Sequence, residues 1–150
     1  MLNQTDLLKH FFNPIKFQDR FEENSMELTP IPDDIESAIP VLPKNLYCNK
    51  LVTQEFFKVF RELIKNDLHK EILSFDGIFN PRLIRGSSKI SLHAFGLAID
   101  LNADEDKLGQ DKSTWSDKFV QTWKDCGWLW GGDFADRKDP MHFEWSRFTN

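Results

Sequence analysis

The sequence contains only two cysteines, Cys48 and Cys126, and they lie far apart without a Cys-x-x-Cys spacing. Two such residues are too few for a disulfide framework or a cysteine zinc site, so we expect two buried free thiols. The sequence also lacks any apolar run that approaches the length needed to cross a bilayer. We therefore expect no membrane-spanning helix.

An excess of positive charge is also missing, since 19 lysines and arginines stand against 24 acidic residues. The formal net charge is -5, lysine and arginine form no run, and basic residues do not alternate with aromatic ones. The electrostatic footprint of a nucleic-acid-binding protein is therefore missing, and nucleic acid is excluded as a partner. The local exception is the segment PRLIRGSSK, which concentrates Arg82, Arg85 and Lys89 in an otherwise acidic chain.

A signal peptide is a third feature that the sequence does not show. The segment MLNQTDLLKHFFNPIKF has no basic leader before an apolar stretch and no small-residue cleavage site. We expect the protein to stay in the cytoplasm of its cell until it is released, or to be exported by another machinery.

The length of 150 residues is that of one ordinary domain, so we expect a single domain over residues 1–150. Residues 1–46 are rich in proline, which restricts its own backbone and that of the preceding residue. This segment is predicted to be a mostly extended N-terminal elaboration wrapped on the domain, with at most a short helix over residues 6–12.

Apolar residues recur at helical spacing over residues 50–69 and again over residues 113–126, where Trp115, Phe119 and Trp123 follow one another at intervals of four. We expect Ser113 or Asp111 to cap the second helix. The remaining pattern predicts strands over residues 77–84, 98–101 and 141–145. No strand-helix-strand alternation occurs, so the class predicted is α+β, with a small, mainly antiparallel sheet packed with helices.

Two short segments, SLHAFGLAID and DPMHFEW, carry polar residues among apolar ones. A hydrolytic zinc site needs three protein ligands, usually histidines with one carboxylate, and His93, Asp100 and His142 supply that set. A strand-turn-strand with Gly96 in the turn could bring His93 and Asp100 together. A single histidine is more often structural than a ligand, but a carboxylate after the apolar GLAI costs desolvation free energy unless it is paired or metal-bound.

The full pattern resembles a family of zinc peptidases. This family includes VanY-type D-alanyl-D-alanine carboxypeptidases, vancomycin-resistance D,D-dipeptidases and phage L-alanyl-D-glutamate endolysins. Its first signature is Ser, any residue, His, two residues, Gly, any residue, Ala, any residue, Asp, and this sequence meets it in full from Ser91 to Asp100. The second signature, an acidic residue three before a histidine, is met by Asp139 and His142. The resemblance covers roughly residues 75–145 and also includes FNPRLIRGS and GWLWGGDF.

The resemblance implies a hedgehog-like or D,D-peptidase-like fold, a Zn²⁺ ion bound by His93, Asp100 and His142, and Asp139 as the general base. A tetrahedral oxyanion also needs positive charge. Arg82 is the first candidate for that role and Arg85 the second, with a solvated surface arginine as the alternative for either.

Three further residues are candidates for contacts with substrate. Ser91 is expected to hydrogen-bond near the metal shell rather than to act as a nucleophile. Trp130 is expected to form a wall of the cleft, and Asp133 either orients a ligand or substrate or is a solvated turn residue.

The predicted function is hydrolysis of peptide bonds in peptidoglycan stem peptides by a monomeric zinc peptidase. The Asp at position 139, where dipeptidases have Glu, favours the endopeptidase or carboxypeptidase branch of the family. The activity expected first is that of an endolysin-like L-alanyl-D-glutamate endopeptidase released to the cell wall. The alternative activity is that of a D-alanyl-D-alanine carboxypeptidase. An alternative of another class is a non-catalytic zinc-binding structural or phage interaction module, and retention of Asp139 argues against it.

Overall fold

Helices dominate the first half of the chain and strands the second half in the computed structural model, which describes residues 1–148. The α-helices are α1 (Gln4–His10), α2 (Gln18–Ser25), α3 (Asp33–Ala38), α4 (Thr53–Lys65) and α5 (Asp117–Asp125). The strands are β1 (Met26–Pro30), β2 (Asn45–Asn49), β3 (Phe75–Gly77), β4 (Ala98–Leu101), β5 (Trp128–Trp130) and β6 (His142–Trp145). Short 3-10 helices cover His69–Glu71, Leu92–Phe95 and Gly131–Asp133.

The strands form two antiparallel sheets. One is four-stranded with the order β3-β4-β6-β5, and the other pairs β1 with β2. The predicted α+β class with a small antiparallel sheet is confirmed. The predicted strands over residues 98–101 and 141–145 are β4 and β6, and they are neighbours at the centre of the larger sheet.

The strand predicted over residues 77–84 is wrong for most of its length. β3 ends at Gly77, and within residues 78–84 the β-pairing is limited to one isolated bridge, between Leu83 and Ile90. Gly77 has a φ of 119°, which turns the backbone out of the sheet, and Pro81 has no N–H to donate.

Both predicted helices are confirmed, with shorter bounds. The buried residues of α4 lie on the stripe that packs into the core: Phe56, Phe57, Val59, Phe60 and Leu63. The helix predicted from residue 113 begins only at Asp117, because Ser116 is the residue whose hydroxyl accepts from the N–H of Phe119. The hydroxyl of Ser113 accepts from the N–H of Trp115 in a local turn.

The expectation that residues 1–46 are mostly extended is wrong, since α1, α2 and α3 lie within this range. The prolines occupy places where they do not interrupt a helix. Pro30 ends β1, and Pro32 caps α3, whose first turn carries three acidic residues that interact favourably with the positive end of the helix dipole.

One hydrophobic core joins the N-terminal helices to the larger sheet and runs from Leu7 to Trp145. The predicted aromatic stripe of α5 packs in this core: Trp123 stacks on Phe143 with ring centroids 4.5 Å apart, and Trp115 stacks on Phe119 at 4.2 Å. Phe143 is adjacent to His142, so the stripe packs against the strand that carries His142, on the opposite face of the sheet.

Both cysteines are buried free thiols, as predicted. Among the residues that the structure describes, no helix combines the length and apolar character needed to traverse a bilayer.

Candidate metal centre

The pairing of β4 with β6 brings the first two polar side chains together. Asp100 lies directly opposite His142 in the antiparallel register, and Ile99 lies opposite Phe143. Neighbouring side chains of a strand alternate between faces, so Asp100 and His142 share one face of the sheet while the apolar pair occupies the other.

His93 reaches the same place from the 3-10 helix Leu92–Phe95, not from a strand as expected. The hydroxyl of Ser91 caps this helix by accepting from the N–H of His93. Gly96 ends it with a φ of 66°, and a Cβ at that position would lie 2.5 Å from Sδ of Met26. The turn therefore needs glycine for its conformation and for its space.

Three donor atoms converge at nearly equal distances. Nδ1 of His142 lies 3.2 Å from Nε2 of His93 and 3.2 Å from Oδ1 of Asp100, and these last two atoms are also 3.2 Å apart. A tetrahedral zinc ion with bonds of about 2.0 Å places its ligand atoms about 3.3 Å apart. The observed triangle fits one face of such a tetrahedron.

Hydrogen bonds on the far side of each ring determine which nitrogen faces the cluster with a lone pair. Nδ1 of His93 lies 2.8 Å from the carbonyl oxygen of Ile78, and Nε2 of His142 lies 2.8 Å from Oε1 of Glu144. Because carbonyl and carboxylate oxygens only accept, these two nitrogens are the donors. In their neutral form the two rings direct lone pairs at Asp100, an arrangement that a cation between the three atoms would stabilise.

The electrostatics of the cluster also favour a cation. Burial alone lowers the pKa of His142, but hydrogen bonds to Asp100 and Glu144 outweigh burial and raise that pKa to about 10. Burial alone raises the pKa of Asp100, but hydrogen bonds with His142 and His93 hold it well below its usual range. A field that retains positive charge on a buried imidazole is one that attracts a divalent ion.

Asp139 lies beside the cluster but outside the triangle. Its Oδ2 is 4.0 Å from Nδ1 of His142. Its Oδ1 is buried, and no group within residues 1–148 hydrogen-bonds it. Burial raises the pKa of this carboxyl, as does the nearby charge of Asp100 to a lesser extent. Asp139 is thus a carboxylate with a free oxygen next to a candidate metal site.

The connection between β5 and β6 determines where Asp139 lies. The N–H of Asp139 donates to the carbonyl of Gly131 at 2.8 Å, and a Cβ on Gly131 would overlap the carbonyl oxygen of Asp139. The carbonyl of Pro140 accepts from the indole N–H of Trp115 at 2.8 Å and from that of Trp130 at 2.9 Å. These bonds hold the segment between Asp139 and His142 from both sides.

The structure places Arg82 and Arg85 in the loop before Ser91. Arg82 is half-buried, and its guanidinium donates to the carbonyl of Leu83, while its own carbonyl accepts from the N–H of Ser91. Arg85 is exposed, and its carbonyl accepts from the guanidinium of Arg137. Within the described chain neither arginine forms an ion pair with Asp100 or Asp139.

The three candidates for substrate contact have different surroundings. Ser91 is buried, and its hydroxyl is engaged by His93. Trp130 is half-buried, with its indole N–H bound to Pro140. Asp133 forms an ion pair with Lys124 at 2.7 Å near the surface.

Two residues close to the site did not emerge from the sequence. Glu144 bonds His142, and its position two residues later on a strand is a period-2 signal that places both on one face. Arg137 bridges to the loop of Arg85 and lowers the pKa of Asp139, although burial dominates that pKa. No local pattern distinguishes Arg137 from an ordinary surface arginine.

Two histidines and one carboxylate on an α+β scaffold, with a further carboxylate beside them, are an arrangement typical of hydrolases that use one metal ion. Residues 85–145 match a family described as D-alanyl-D-alanine carboxypeptidase. This match confirms the resemblance to that peptidase family over the segment that carries the three candidate ligands and Asp139. A comparison with the curated proteins gave no match.

Proposed function

We propose that the protein is a zinc peptidase that hydrolyses peptide bonds in peptidoglycan stem peptides, with L-alanyl-D-glutamate endopeptidase as its first activity. The observation that carries the proposal is the convergence of His93, Asp100 and His142 beside the free carboxylate of Asp139. All four residues lie in the segment that matches the peptidase family.

The residues divide the chemistry between them. His93, Asp100 and His142 would hold the ion, which when bound supplies Lewis acidity that polarises a carbonyl and makes water easier to deprotonate. Asp139 takes a proton from the attacking water and delivers it to the leaving amine, for which its buried position and free oxygen suit it.

The arginines of the loop before Ser91 balance charge. Asp100, Asp139 and Glu144 bring three carboxyl groups to the site, so it already concentrates acidic groups around the place of the ion. A substrate with a carboxylate near the scissile bond therefore needs additional cations. The backbone carbonyl of Arg82 accepts from the N–H of Ser91, the residue before the 3-10 helix that carries His93. We assign Arg82 to the developing oxyanion, with Arg85 as the alternative.

D-alanyl-D-alanine carboxypeptidase is the second candidate activity, because the matching family carries that description. A non-catalytic zinc module is a third candidate, but it would have no use for an unpaired buried carboxylate, which costs free energy.

Digestion of purified peptidoglycan, followed by mass spectrometry of the new termini, separates these activities. New amino termini on D-glutamate support the endopeptidase, and released D-alanine supports the carboxypeptidase. Intact muropeptides after prolonged incubation with zinc-loaded protein would contradict both.

Metal analysis tests the ligand assignment independently of substrate. The protein should carry about one zinc per chain, and His93→Ala, Asp100→Ala or His142→Ala should each remove it, because a three-ligand site does not tolerate loss of one ligand. His69→Ala is a matched control, since this histidine lies in another 3-10 helix, and it should leave zinc content unchanged. Full zinc occupancy in all three ligand variants would contradict the assignment.

A further inference from the structure

Glu144 is a buried carboxylate in the centre of the larger sheet. It lies on β6, paired with Ala98 on one side and with Leu129 on the other, and only 6% of its surface is exposed. Burying a charged carboxylate costs free energy unless the charge is paired. The partner that the described residues offer is Nε2 of His142, 2.8 Å from Oε1.

In the hydrogen bond between Glu144 and His142, the histidine is the donor. A carboxylate accepts only, so it requires the proton of the neutral imidazole on Nε2 and leaves the lone pair on Nδ1. Nδ1 is the atom that forms the triangle with Nε2 of His93 and Oδ1 of Asp100. His93 is held in the complementary way, through Nδ1 and the carbonyl of Ile78.

We infer that Glu144 is a positioning residue for the metal site, which fixes the tautomer and orientation of His142 and supplies negative charge behind it. The inference rests on the proposed zinc site and is independent of which peptide is cleaved. The carbonyl of Ile78 orients His93 but carries no charge. Of the two histidines, only His142 therefore has a carboxylate behind it.

Removal of the charge should weaken zinc binding. In Glu144→Gln the side-chain volume is kept, but the amide can turn its NH₂ toward His142 and favour the proton on Nδ1, which blocks the ligand atom. We expect zinc affinity, measured by competition with a chromogenic chelator, to fall about tenfold to hundredfold, as for other carboxylates behind a zinc-bound histidine. Glu144→Ala should weaken zinc binding at least as much.

Glu27→Gln is a matched control. Glu27 lies on β1 in the other sheet, and its carboxylate accepts from the hydroxyl of Thr53 at 2.6 Å, so this variant also loses a charged acceptor in a strand. Its zinc affinity should equal that of the wild type. Circular dichroism and thermal unfolding in EDTA, compared among all variants, separate loss of folding from loss of affinity.

A zinc dissociation constant of Glu144→Gln within twofold of the wild-type value would overturn the inference. Nitrogen-15 NMR of the zinc-loaded wild type is a second test, because it distinguishes the two imidazole tautomers. A proton on Nε2 of His142 is expected, and a proton on Nδ1 would overturn the inference. Both measurements can be made even if no peptidase activity is found. Failure of the proposed function can therefore be distinguished from failure of the inference about Glu144.

Discussion

Asp139 holds a carboxylate oxygen away from water without a hydrogen-bond partner among the described residues. An arrangement of this kind reduces stability, and proteins concentrate such costs at functional sites. The backbone of Asp139 takes part in the turn through its N–H and carbonyl, but the side chain does not. The side chain is thus unnecessary for the turn and available for proton transfer.

Asp139→Asn keeps the shape of this side chain but cannot take up the proton. We expect zinc content to stay near one per chain and turnover on peptidoglycan to drop by about a hundredfold to ten-thousandfold. The free energy of unfolding should stay equal or rise, because an unpaired buried charge is removed. Zinc content, urea unfolding and turnover should be measured on one preparation.

A role as a turn cap would give the opposite result. Loss of a cap costs about 1 kcal/mol of stability and leaves turnover nearly normal in the folded protein. A zinc-loaded Asp139→Asn with near wild-type turnover would therefore remove the main reason for preferring an active peptidase to a structural zinc module.

Arg82 and Arg85 can be ranked by substitution. Arg82→Ala should lower turnover by on the order of a hundredfold with unchanged zinc content, because a charge that faces the developing oxyanion is lost. Arg85→Ala should have a smaller effect, since its side chain is exposed. The reverse order in steady-state kinetics would move the role to Arg85.

In the connection between β5 and β6, glycine is needed at position 131 because a side chain would not fit there, and not because the backbone is left-handed. A Cβ there would overlap the carbonyl oxygen of Asp139. Gly131→Ala should cost about 1–3 kcal/mol of stability through overpacking and should shift Asp139. Because a displacement of about 1 Å can cost a hundredfold in rate, turnover should fall by about that factor.

Gly86→Ala provides the contrast. Gly86 has a φ of 75°, and a Cβ at this position would have no neighbouring atom within 4 Å. Its substitution therefore costs only the strain of a left-handed residue, about 1–2 kcal/mol. Zinc content should not change. Equal losses of turnover in both variants, measured on folded protein, would show that the close approach at Gly131 is not what positions Asp139.

Strands β4 and β6 could be predicted from the sequence because each is a short, mainly apolar segment. Each also contains one ionisable residue, Asp100 in β4 and His142 in β6, which marks the segment as part of a site. The grouping of His93, Asp100 and His142 could also be predicted from the sequence. Helices α2 and α3 could not be predicted in this way, because they are short and contain few apolar residues, and tertiary packing decides their structure. The bond between Glu144 and His142 has only a period-2 signal in the sequence, which places both side chains on one face of a strand without indicating that they bond.

For the molecule as a whole, the N-terminal helices support the candidate metal centre. Phe21 of α2 is fully buried and stacks on Phe79, and it also meets the ring of Phe95 edge-on. Phe79 follows Ile78, whose carbonyl binds His93, and Phe95 belongs to the same 3-10 helix as His93. The side chain of Gln4 also accepts from the N–H of Ile90, at the end of the arginine loop.

Phe21→Ala should therefore affect both stability and metal binding. The cavity should lower the free energy of unfolding by about 3–5 kcal/mol, and the loss of support behind His93 should weaken zinc affinity several-fold. Urea unfolding and chelator competition, at a temperature where the variant is folded, measure the two effects.

Ile35→Ala is the matched core substitution. Ile35 is also fully buried, but it lies on α3, which packs against α4. Ile35→Ala should lower the free energy of unfolding by about 2–5 kcal/mol without changing the zinc affinity of the folded protein. If both variants lose zinc equally, the N-terminal helices act on the site only through global stability.

The carbonyl of Pro140 accepts from two indoles that come from different parts of the chain, Trp115 before α5 and Trp130 at the end of β5. This sharing makes the anchor redundant, because a carbonyl oxygen has two lone pairs and either donor alone leaves it bonded. Replacement of one tryptophan leaves the other bond in place, so the anchor tolerates mutation at either position. We therefore expect the double replacement of Trp115 and Trp130 to lower the free energy of unfolding by more than the sum of the two single replacements.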